Sequence, residues 1–346
     1  MRAEKKSEVD PDTGFGVIPA AATLAAGGFG GHDGQQASGQ RHGDVPGEGV
    51  PTEDVPGEDV PASGQAGPVT ERRSIKTGRN LPAAIGVGLL MGGLVVLTLF
   101  TVKATFLLYV GIILAVALWE FSHALRSRDI HLPLAPIVAG GVAMVTLAYW
   151  MQARWALGAL GLTGIGVLGW RLRGGADGYV RDVTAGIFTL LYLPLAAVFV
   201  ALMLAEPDGS RRAFIFVVLT VCSDTGAYLA GILFGKHPMV PSISPKKTWE
   251  GLGGGAVLCL AAGAIMVPDL LGGRVWQGLL LGAAAVAVAS LGDLVESMIK
   301  RDLQIKDMGH LLPGHGGIMD RLDSLVVMAP VVWLLLAVLV PYGHAL

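Results

Sequence analysis

Polar residues begin at position 293, near the end of an apolar segment of the sequence. Asp293, Glu296, Ser297 and Lys300 are spaced i, i+3, i+4 and i+7, so on a helix they share one face. Further polar residues follow within a short distance: Arg301, Lys306, Asp307, His315, Asp320, Arg321 and Asp323. Carboxylates are hard oxygen ligands suited to magnesium, and lysine and arginine suit phosphate. A solvated, salt-bridged loop explains any one of these residues equally well, but the set predicts a site that handles metal and phosphate.

A second polar loop, residues 236–251, carries the adjacent lysines Lys246 and Lys247. We expect a helix to begin within it, because Ser244 can act as the N-cap and Pro245 fits the first helical position. The two lysines would then lie at the positive end of a helix, where phosphate binds readily. A basic anchor at the bilayer interface explains this loop equally well when it is taken alone.

Asp224 lies in the middle of an apolar segment, within Ser223-Asp224-Thr225-Gly226. A carboxylate exposed to lipid at that depth is costly, so Asp224 should face the bundle interior or a water-filled cavity. A structural pairing with a buried lysine or arginine is the alternative. Ionisable residues inside a membrane are functional by default, and we therefore predict that Asp224 belongs to the site.

These segments are set in an apolar chain. Of its 346 residues 52% are hydrophobic and 15% are charged, whereas an average soluble domain has about 25% charged residues. A membrane-spanning helix needs roughly 20 mostly apolar residues. Nine segments qualify, at about 81–100, 104–121, 132–151, 155–172, 184–205, 213–235, 252–268, 275–299 and 324–343. We predict an all-α, polytopic transmembrane helical bundle of about nine spans over residues 80–346.

Residues 1–79 have a different composition, rich in glycine, proline and acidic residues, with Val-Pro recurring every fifth residue between Val45 and Pro61. Such a segment buries too little apolar surface to offset the entropy lost on ordering, so we predict a disordered tail. Its early acidic residues do not fit a signal peptide. No cleavage is expected.

The orientation follows from the basic residues. Nine spans divide the loops into two sets, and lysine and arginine are concentrated in the set that contains the N-terminal tail and both polar loops. Cytoplasmic loops carry the excess of basic residues. We therefore expect the tail and the polar loops in the cytoplasm, the C-terminus outside, and the chain in the cell (inner) membrane.

The three polar segments together resemble the phosphatidate cytidylyltransferase family, also called CDP-diacylglycerol synthases. The family's C-terminal pattern is matched by Ser297-Met-Ile-Lys300-Arg301, Lys306-Asp307, Pro313-Gly314-His315-Gly316-Gly317 and Asp320-Arg321-Leu322-Asp323. Its upstream motifs are matched by Ser223-Asp224-Thr225-Gly226-Ala227-Tyr228, by residues 244–251 and by residues 292–297. The resemblance covers roughly residues 80–346, and the tail has no counterpart in the family core.

The resemblance implies that phosphatidate and CTP condense to CDP-diacylglycerol and pyrophosphate, with magnesium required. It assigns the metal to Asp293 and Asp320 and leaves room for a second cation. The candidate phosphate-binding residues are Lys246, Lys247, Lys300, Arg301, Lys306 and Arg321. Asp224 and Glu250 would orient lysines or a second cation, and Asp307, His315 and Asp323 complete the candidate catalytic set. The bilayer is an expected partner, a homodimer is an open expectation, and no nucleic-acid partner is expected.

Two other classes of protein remain as alternatives. A CTP-dependent lipid kinase of the dolichol or phytol type would transfer the γ-phosphoryl group to an alcohol and would need a base for the hydroxyl. The complete C-terminal pattern argues against it. A transporter would suit nine spans with an aspartate inside the membrane, but transporters often contain inverted repeats, and the halves of this chain show none.

Overall fold

The computed structural model describes residues 81–309, 311 and 316–341. The predicted tail, residues 1–79, and His315 lie outside the described residues. The α-helices of the described part are, in chain order, α1 (Leu81–Thr101), α2 (Lys103–Arg126), α3 (Leu134–Met151), α4 (Ala153–Arg171), α5 (Tyr179–Tyr192), α6 (Pro194–Ala205), α7 (Gly209–Phe234), α8 (Trp249–Leu271), α9 (Val275–Leu303) and α10 (Met319–Leu339). A short 3₁₀ turn, Leu172–Gly174, follows α4, and two strands, β1 (Pro238–Val240) and β2 (Ser244–Thr248), lie between α7 and α8.

The helices have the length and composition of membrane spans. Within the described residues eight helical segments, from Lys103–Arg126 to Met319–Leu339, are long and apolar enough to cross a membrane, and α1 contributes a shorter apolar segment, Leu90–Thr101. Every predicted span coincides with a helix or with a pair of consecutive helices. The predicted polytopic helical bundle is therefore confirmed.

One span is broken. Helices α5 and α6 together form the apolar segment Tyr179–Ala205, which is interrupted at Leu193. The next residue, Pro194, has no N–H to continue the hydrogen-bond ladder of α5, and proline is favoured at the start of a new helix. The break places the last turn of α5 and the first turns of α6 beside α10, as described below.

The polar loop after α7 departs from the prediction. Ser244 was expected to cap a helix, but residues Ser244–Thr248 form strand β2, which pairs antiparallel with β1. The helix begins at Trp249 instead, because the Thr248 hydroxyl accepts a hydrogen bond from the Gly251 N–H at 3.1 Å and acts as the cap. Lys246 and Lys247 therefore lie on a strand that leads into the cap of α8 and not in the first turn of a helix. The prediction that Ser244 caps a helix beginning at Pro245 is wrong.

Glycines allow the helices of the C-terminal half to pack closely. A Cβ atom added to Gly226 on α7 would lie 2.6 Å from the carbonyl oxygen of Gly254 on α8. A Cβ added to Gly278 on α9 would lie 2.0 Å from the carbonyl oxygen of Gly263 on α8. Small residues at such contacts let helix backbones approach each other inside a membrane. This packing fixes α7 and α9, which both carry site residues, against the same helix.

Candidate active site

Carboxylates from α7, α9 and α10 meet around one serine hydroxyl. The Ser324 Oγ atom lies 2.7 Å from Asp293 Oδ1 and 3.3 Å from Asp224 Oδ1, so its proton can be donated to either carboxylate. The neighbouring Asp323 accepts a hydrogen bond from the Ser324 N–H at 2.8 Å. The three aspartates are close enough to repel one another electrostatically. We call Asp224, Asp293 and Asp323 the carboxylate cluster.

Close backbone contact brings two of these carboxylates together. Gly292 directly precedes Asp293, and a Cβ atom added to it would lie 2.5 Å from the carbonyl oxygen of Asp323. Only a glycine permits α9 and α10 to approach each other this closely at that point. The matched motif therefore has a physical reason: the glycine places the Asp293 side chain beside residues 323 and 324.

The hairpin formed by β1 and β2 and the start of α10 each supply a cation to this cluster. Lys247 forms an ion pair with Asp293, and their side chains are 26% and 25% exposed, so the pair remains accessible from solvent. Arg321 is close enough to Asp224 to interact with it electrostatically. The Arg301 Nε–H donates to the Ile243 carbonyl oxygen at 3.3 Å and so ties the turn of the hairpin to α9.

A second group of charged side chains lies one helical turn from the carboxylate cluster along α9 and α10. Glu296 follows Asp293 by three residues on α9, and Asp320 precedes Asp323 by three on α10, so each helix presents two carboxylates on one face. Lys300 bridges this second pair: its Nζ atom lies 2.5 Å from Glu296 and 2.7 Å from Asp320. The facing helices thus bring four carboxylates, those of Asp293, Glu296, Asp320 and Asp323, together with one half-buried lysine, and we call these four residues the carboxylate ladder.

Both carboxylate oxygens of Asp320 have partners. Its Oδ2 atom accepts a hydrogen bond from the Gly317 N–H at 2.8 Å, and the Met308 N–H donates to Oδ1 at 3.1 Å. Together with Lys300 these donors occupy both carboxylate oxygens. Asp320 thereby joins the segment after α9 to the start of α10.

Comparison with known proteins assigns the chain to a family. The sequence model described as "Cytidylyltransferase family" matches residues 82–339, which is most of the chain. The chain belongs to the cytidylyltransferase family. Among its relatives, the phosphatidate cytidylyltransferase of Mycobacterium leprae (strain TN) is 42% identical over 282 residues, which cover 76% of this chain and 90% of the relative. That of Mycobacterium tuberculosis (strain ATCC 25618 / H37Rv) is 41% identical over 285 residues, 79% of this chain and 86% of the relative. That of Haemophilus influenzae (strain ATCC 51907 / DSM 11121 / KW20 / Rd) is 37% identical over 170 residues, 48% of this chain and 50% of the relative.

The sequence analysis of this cytidylyltransferase missed Glu120 on α2. Its side chain is buried, with the residue 1% exposed, and its Oε2 atom accepts a hydrogen bond from the Met319 N–H at 2.8 Å. The other carboxylate oxygen, Oε1, has no hydrogen-bond partner within the described part of the chain. The signal that singled out Asp224, an ionisable residue within an apolar span, applies equally to Glu120 and could have found it.

Glu120 is packed between two glycines of the polar segment. A Cβ atom added to Gly317 would lie 2.7 Å from Glu120 Oε2 and 2.8 Å from the Gly309 nitrogen. Replacing Gly317 with alanine must therefore displace either Glu120 or the backbone that leads into α10. Because that backbone carries Asp320, the ladder would shift with it.

We expect Gly317→Ala to lower kcat at least about tenfold, since ~1.4 kcal/mol of lost transition-state stabilisation has that effect. Steady-state kinetics of the purified protein would measure it. Gly253→Ala is the matched control, because nothing lies within 4 Å of a Cβ at that helical glycine. Equal activity of the two variants would show that the close contact at Gly317 does not support the site.

Several predicted residues are not part of these contacts. Glu250 accepts hydrogen bonds from the backbone N–H groups of Lys236 and His237, both at 3.2 Å, and so holds the start of the hairpin. Lys246 and Lys306 are exposed, and within the described residues neither side chain makes an ion pair. The assignment of roles to these residues, and to the half-buried Asp307, stays a prediction.

The donor atoms of the carboxylate cluster fit a divalent cation in charge and chemistry. Lys247 pairs with Asp293, Lys247 and Arg321 both interact electrostatically with Asp224, and carboxylate oxygens are the ligands that magnesium prefers. Within the part of the chain that the structure describes, no three side chains of His, Cys, Asp or Glu enclose a metal site by themselves. Magnesium usually completes its shell with water and substrate phosphates, so one or two carboxylates are enough. The predicted ligands Asp293 and Asp320 lie in different halves of the ladder, and their joint role stays a prediction.

Proposed function

We propose that this chain transfers the cytidylyl group of CTP to phosphatidate, giving CDP-diacylglycerol and pyrophosphate for phospholipid biosynthesis. The observation that carries the proposal is the ladder of carboxylates and cations on α9 and α10 in a chain of the cytidylyltransferase family, whose relatives are named phosphatidate cytidylyltransferases. The ladder lies where a membrane span ends, so it can meet a water-soluble nucleotide and a membrane lipid.

The reaction suits a site without a strong general base. An ionised phosphate oxygen of phosphatidate attacks the α-phosphorus of CTP, and the bond to the β-phosphate oxygen breaks to release pyrophosphate. Because the nucleophile is already anionic, catalysis consists of positioning two polyanions and stabilising the charge that develops on the leaving group. Side chains with fixed positive charge are what this chemistry requires.

The cations divide into two kinds by their burial. Lys300 is 18% exposed and held between two carboxylates, so it is fixed in place before substrate arrives. Lys246 and Arg301 are exposed on the hairpin and at the end of α9. We propose that the fixed lysine aligns the reacting phosphates, while the exposed cations attract CTP from solution.

Magnesium is proposed as the cofactor. It would be held by Asp293 and Asp320, with Asp224 and Asp323 close by for a second cation, and it would neutralise phosphate oxygens and stabilise the departing pyrophosphate. Lys247, which pairs with Asp293, places a positive charge beside these carboxylates.

The orientation and assembly are also proposals. The protein is polytopic, and the concentration of lysine and arginine on the side of the two polar loops supports a cytoplasmic site, a cytoplasmic N-terminus and an external C-terminus in the cell (inner) membrane. A homodimer remains an expectation to be tested by size measurements in detergent.

An isotope experiment tests the proposed reaction. Purified protein is incubated with phosphatidate, magnesium and CTP labelled on either the α- or the γ-phosphate. We expect the α label in the lipid and the γ label in pyrophosphate. A lipid kinase would place the γ label in the lipid instead, and a transporter would label no lipid. Either of those results would overturn the cytidylyltransferase proposal.

A further inference from the structure

An apolar groove lies beside the carboxylate ladder, between the α5–α6 break and α10. It has a volume of about 280 Å³, and its lining residues include Leu191, Tyr192, Phe199, Val326 and Pro330. The lining side chains are all apolar apart from the hydroxyl group of Tyr192. The groove is formed entirely by helices of the membrane-spanning class, so its contents must be compatible with hydrocarbon.

Two prolines shape this groove. Pro194 starts α6 after the break at Leu193, and Pro330 lies inside α10. A proline in a helix interior cannot donate to the carbonyl group four residues earlier, which here is Val326, and it bends the helix or holds it away from its neighbour. The groove therefore lies beside the break between α5 and α6 and beside a turn of α10 that lacks one backbone hydrogen bond.

Tyr192 connects the groove with the ladder. Its ring stacks on Phe188, with ring centroids 5.4 Å apart and an angle of 15° between the planes. Its hydroxyl oxygen is buried and has no hydrogen-bond partner in the described residues. The same hydroxyl is close enough to Glu296, Asp323 and Asp293 to interact with them electrostatically. Because this hydroxyl has almost no accessible surface, the ring of Tyr192 and not its hydroxyl lines the groove.

We propose that this groove holds an acyl chain of the phosphatidate substrate. The inference rests on the proposed function and extends it, because it names where the lipid lies. A phosphatidate whose phosphate reaches Asp293 must keep its acyl chains in an apolar environment. The groove provides such an environment beside the carboxylates, because Tyr192 lines it and also lies within electrostatic range of Glu296, Asp323 and Asp293.

Photocrosslinking tests the occupant without depending on turnover. Phosphatidate that carries a diazirine on one acyl chain is added to the purified protein and the mixture is irradiated. The adducts are then located by mass spectrometry. We expect adducts on residues 191–199 and 326–330, and we expect unlabelled phosphatidate to suppress them while phosphatidylcholine does not. Equal labelling by a phosphatidylcholine probe would show that ordinary bilayer lipid fills the groove and would overturn the proposal.

This readout separates the two proposals. If the isotope experiment fails but the adducts form with phosphatidate selectivity, the groove is a lipid site of a protein with another reaction. If cytidylyl transfer is observed but the adducts fall on other helices, the proposed function stands and the groove assignment is wrong.

Groove-filling variants test the same idea by kinetics. Ala196→Phe places a ring in the groove, and we expect it to raise KM for dioleoyl phosphatidate about tenfold while changing KM for the dihexanoyl lipid less than about twofold. Leu157→Phe is the control, because Leu157 is 61% exposed on α4, away from the groove. Ala196→Val is a smaller change at the same position and serves if Ala196→Phe impairs folding; it should raise the ratio of the two KM values about twofold. An unchanged ratio of the two KM values in a folded variant of Ala196 would contradict the proposal.

Discussion

Asp293→Asn is expected to lower kcat about a hundredfold or more, equivalent to ~2.7 kcal/mol of transition-state stabilisation. Asparagine has nearly the same shape and can still accept the hydrogen bond from Ser324, which lies 2.7 Å away. What it loses is the negative charge that pairs with Lys247 and that would hold magnesium. The effect should therefore fall on turnover and on the magnesium concentration needed for half-maximal rate, with little effect on folding.

The matched control is Asp302→Asn, an exposed aspartate on the same helix outside the ladder, for which we expect wild-type kinetics. Rates of both variants are measured over a range of magnesium concentrations, and thermal unfolding in detergent confirms that both are folded. If Asp293→Asn kept more than about a tenth of the wild-type kcat at saturating magnesium, the assignment of the metal to this residue would be wrong.

The spans and the main polar residues could be predicted from the sequence because each depends on a short stretch of chain. A run of apolar residues long enough to cross a bilayer identifies a helix by itself. Likewise, the spacing of Asp293, Glu296 and Lys300 puts them on one helical face whatever the helix contacts. The structure confirms that face, with Lys300 bonded to Glu296 at 2.5 Å.

The features that the sequence analysis missed depend on contacts between distant segments. Ser244-Pro245 is a good helix start taken alone, but pairing of Ser244–Thr248 with Pro238–Val240 satisfies the backbone as a strand, and Thr248 then caps the helix. Glu120 lies about two hundred positions before its partner Met319, so no local pattern links them. A carboxylate in an apolar span was a usable signal at Asp224 and went unused at Glu120.

The division of the ladder into two halves also could not be predicted. The spacing of Asp320 and Asp323 along α10 shows that they share a face of the helix. It does not show which of the two lies opposite Asp293. That is decided by the close contact at Gly292, whose added Cβ would meet the Asp323 carbonyl oxygen at 2.5 Å. Asp320 consequently pairs with Lys300 at 2.7 Å, one turn from the carboxylate cluster.

The largest combined loss of stability and activity is expected for Lys300→Met. The lysine is 18% exposed and lies between Glu296 and Asp320, whose side chains are 3% and 6% exposed. Removing it leaves two buried carboxylates without their cation, and breaking such a pair typically costs about 3 kcal/mol or more. Thermal unfolding in detergent should show a lowered midpoint, and kcat should fall at least about a hundredfold because a fixed cation for the phosphates is lost.

The double variant Glu296→Gln/Lys300→Met separates the two roles of the lysine. Neutralising Glu296 removes one of the two unpaired buried charges, and the other, Asp320, keeps its hydrogen bonds from the Met308 and Gly317 N–H groups. We therefore expect the double variant to regain part of the lost stability, because an uncompensated buried charge is costly. Its kcat should nevertheless stay low, because glutamine and methionine provide no positive charge for a phosphate. The single variant Glu296→Gln should fold and retain more activity than either variant that lacks the lysine. If the double variant recovered activity in step with stability, Lys300 would serve only to neutralise Glu296 and Asp320, and its proposed contact with the substrate phosphates would be wrong.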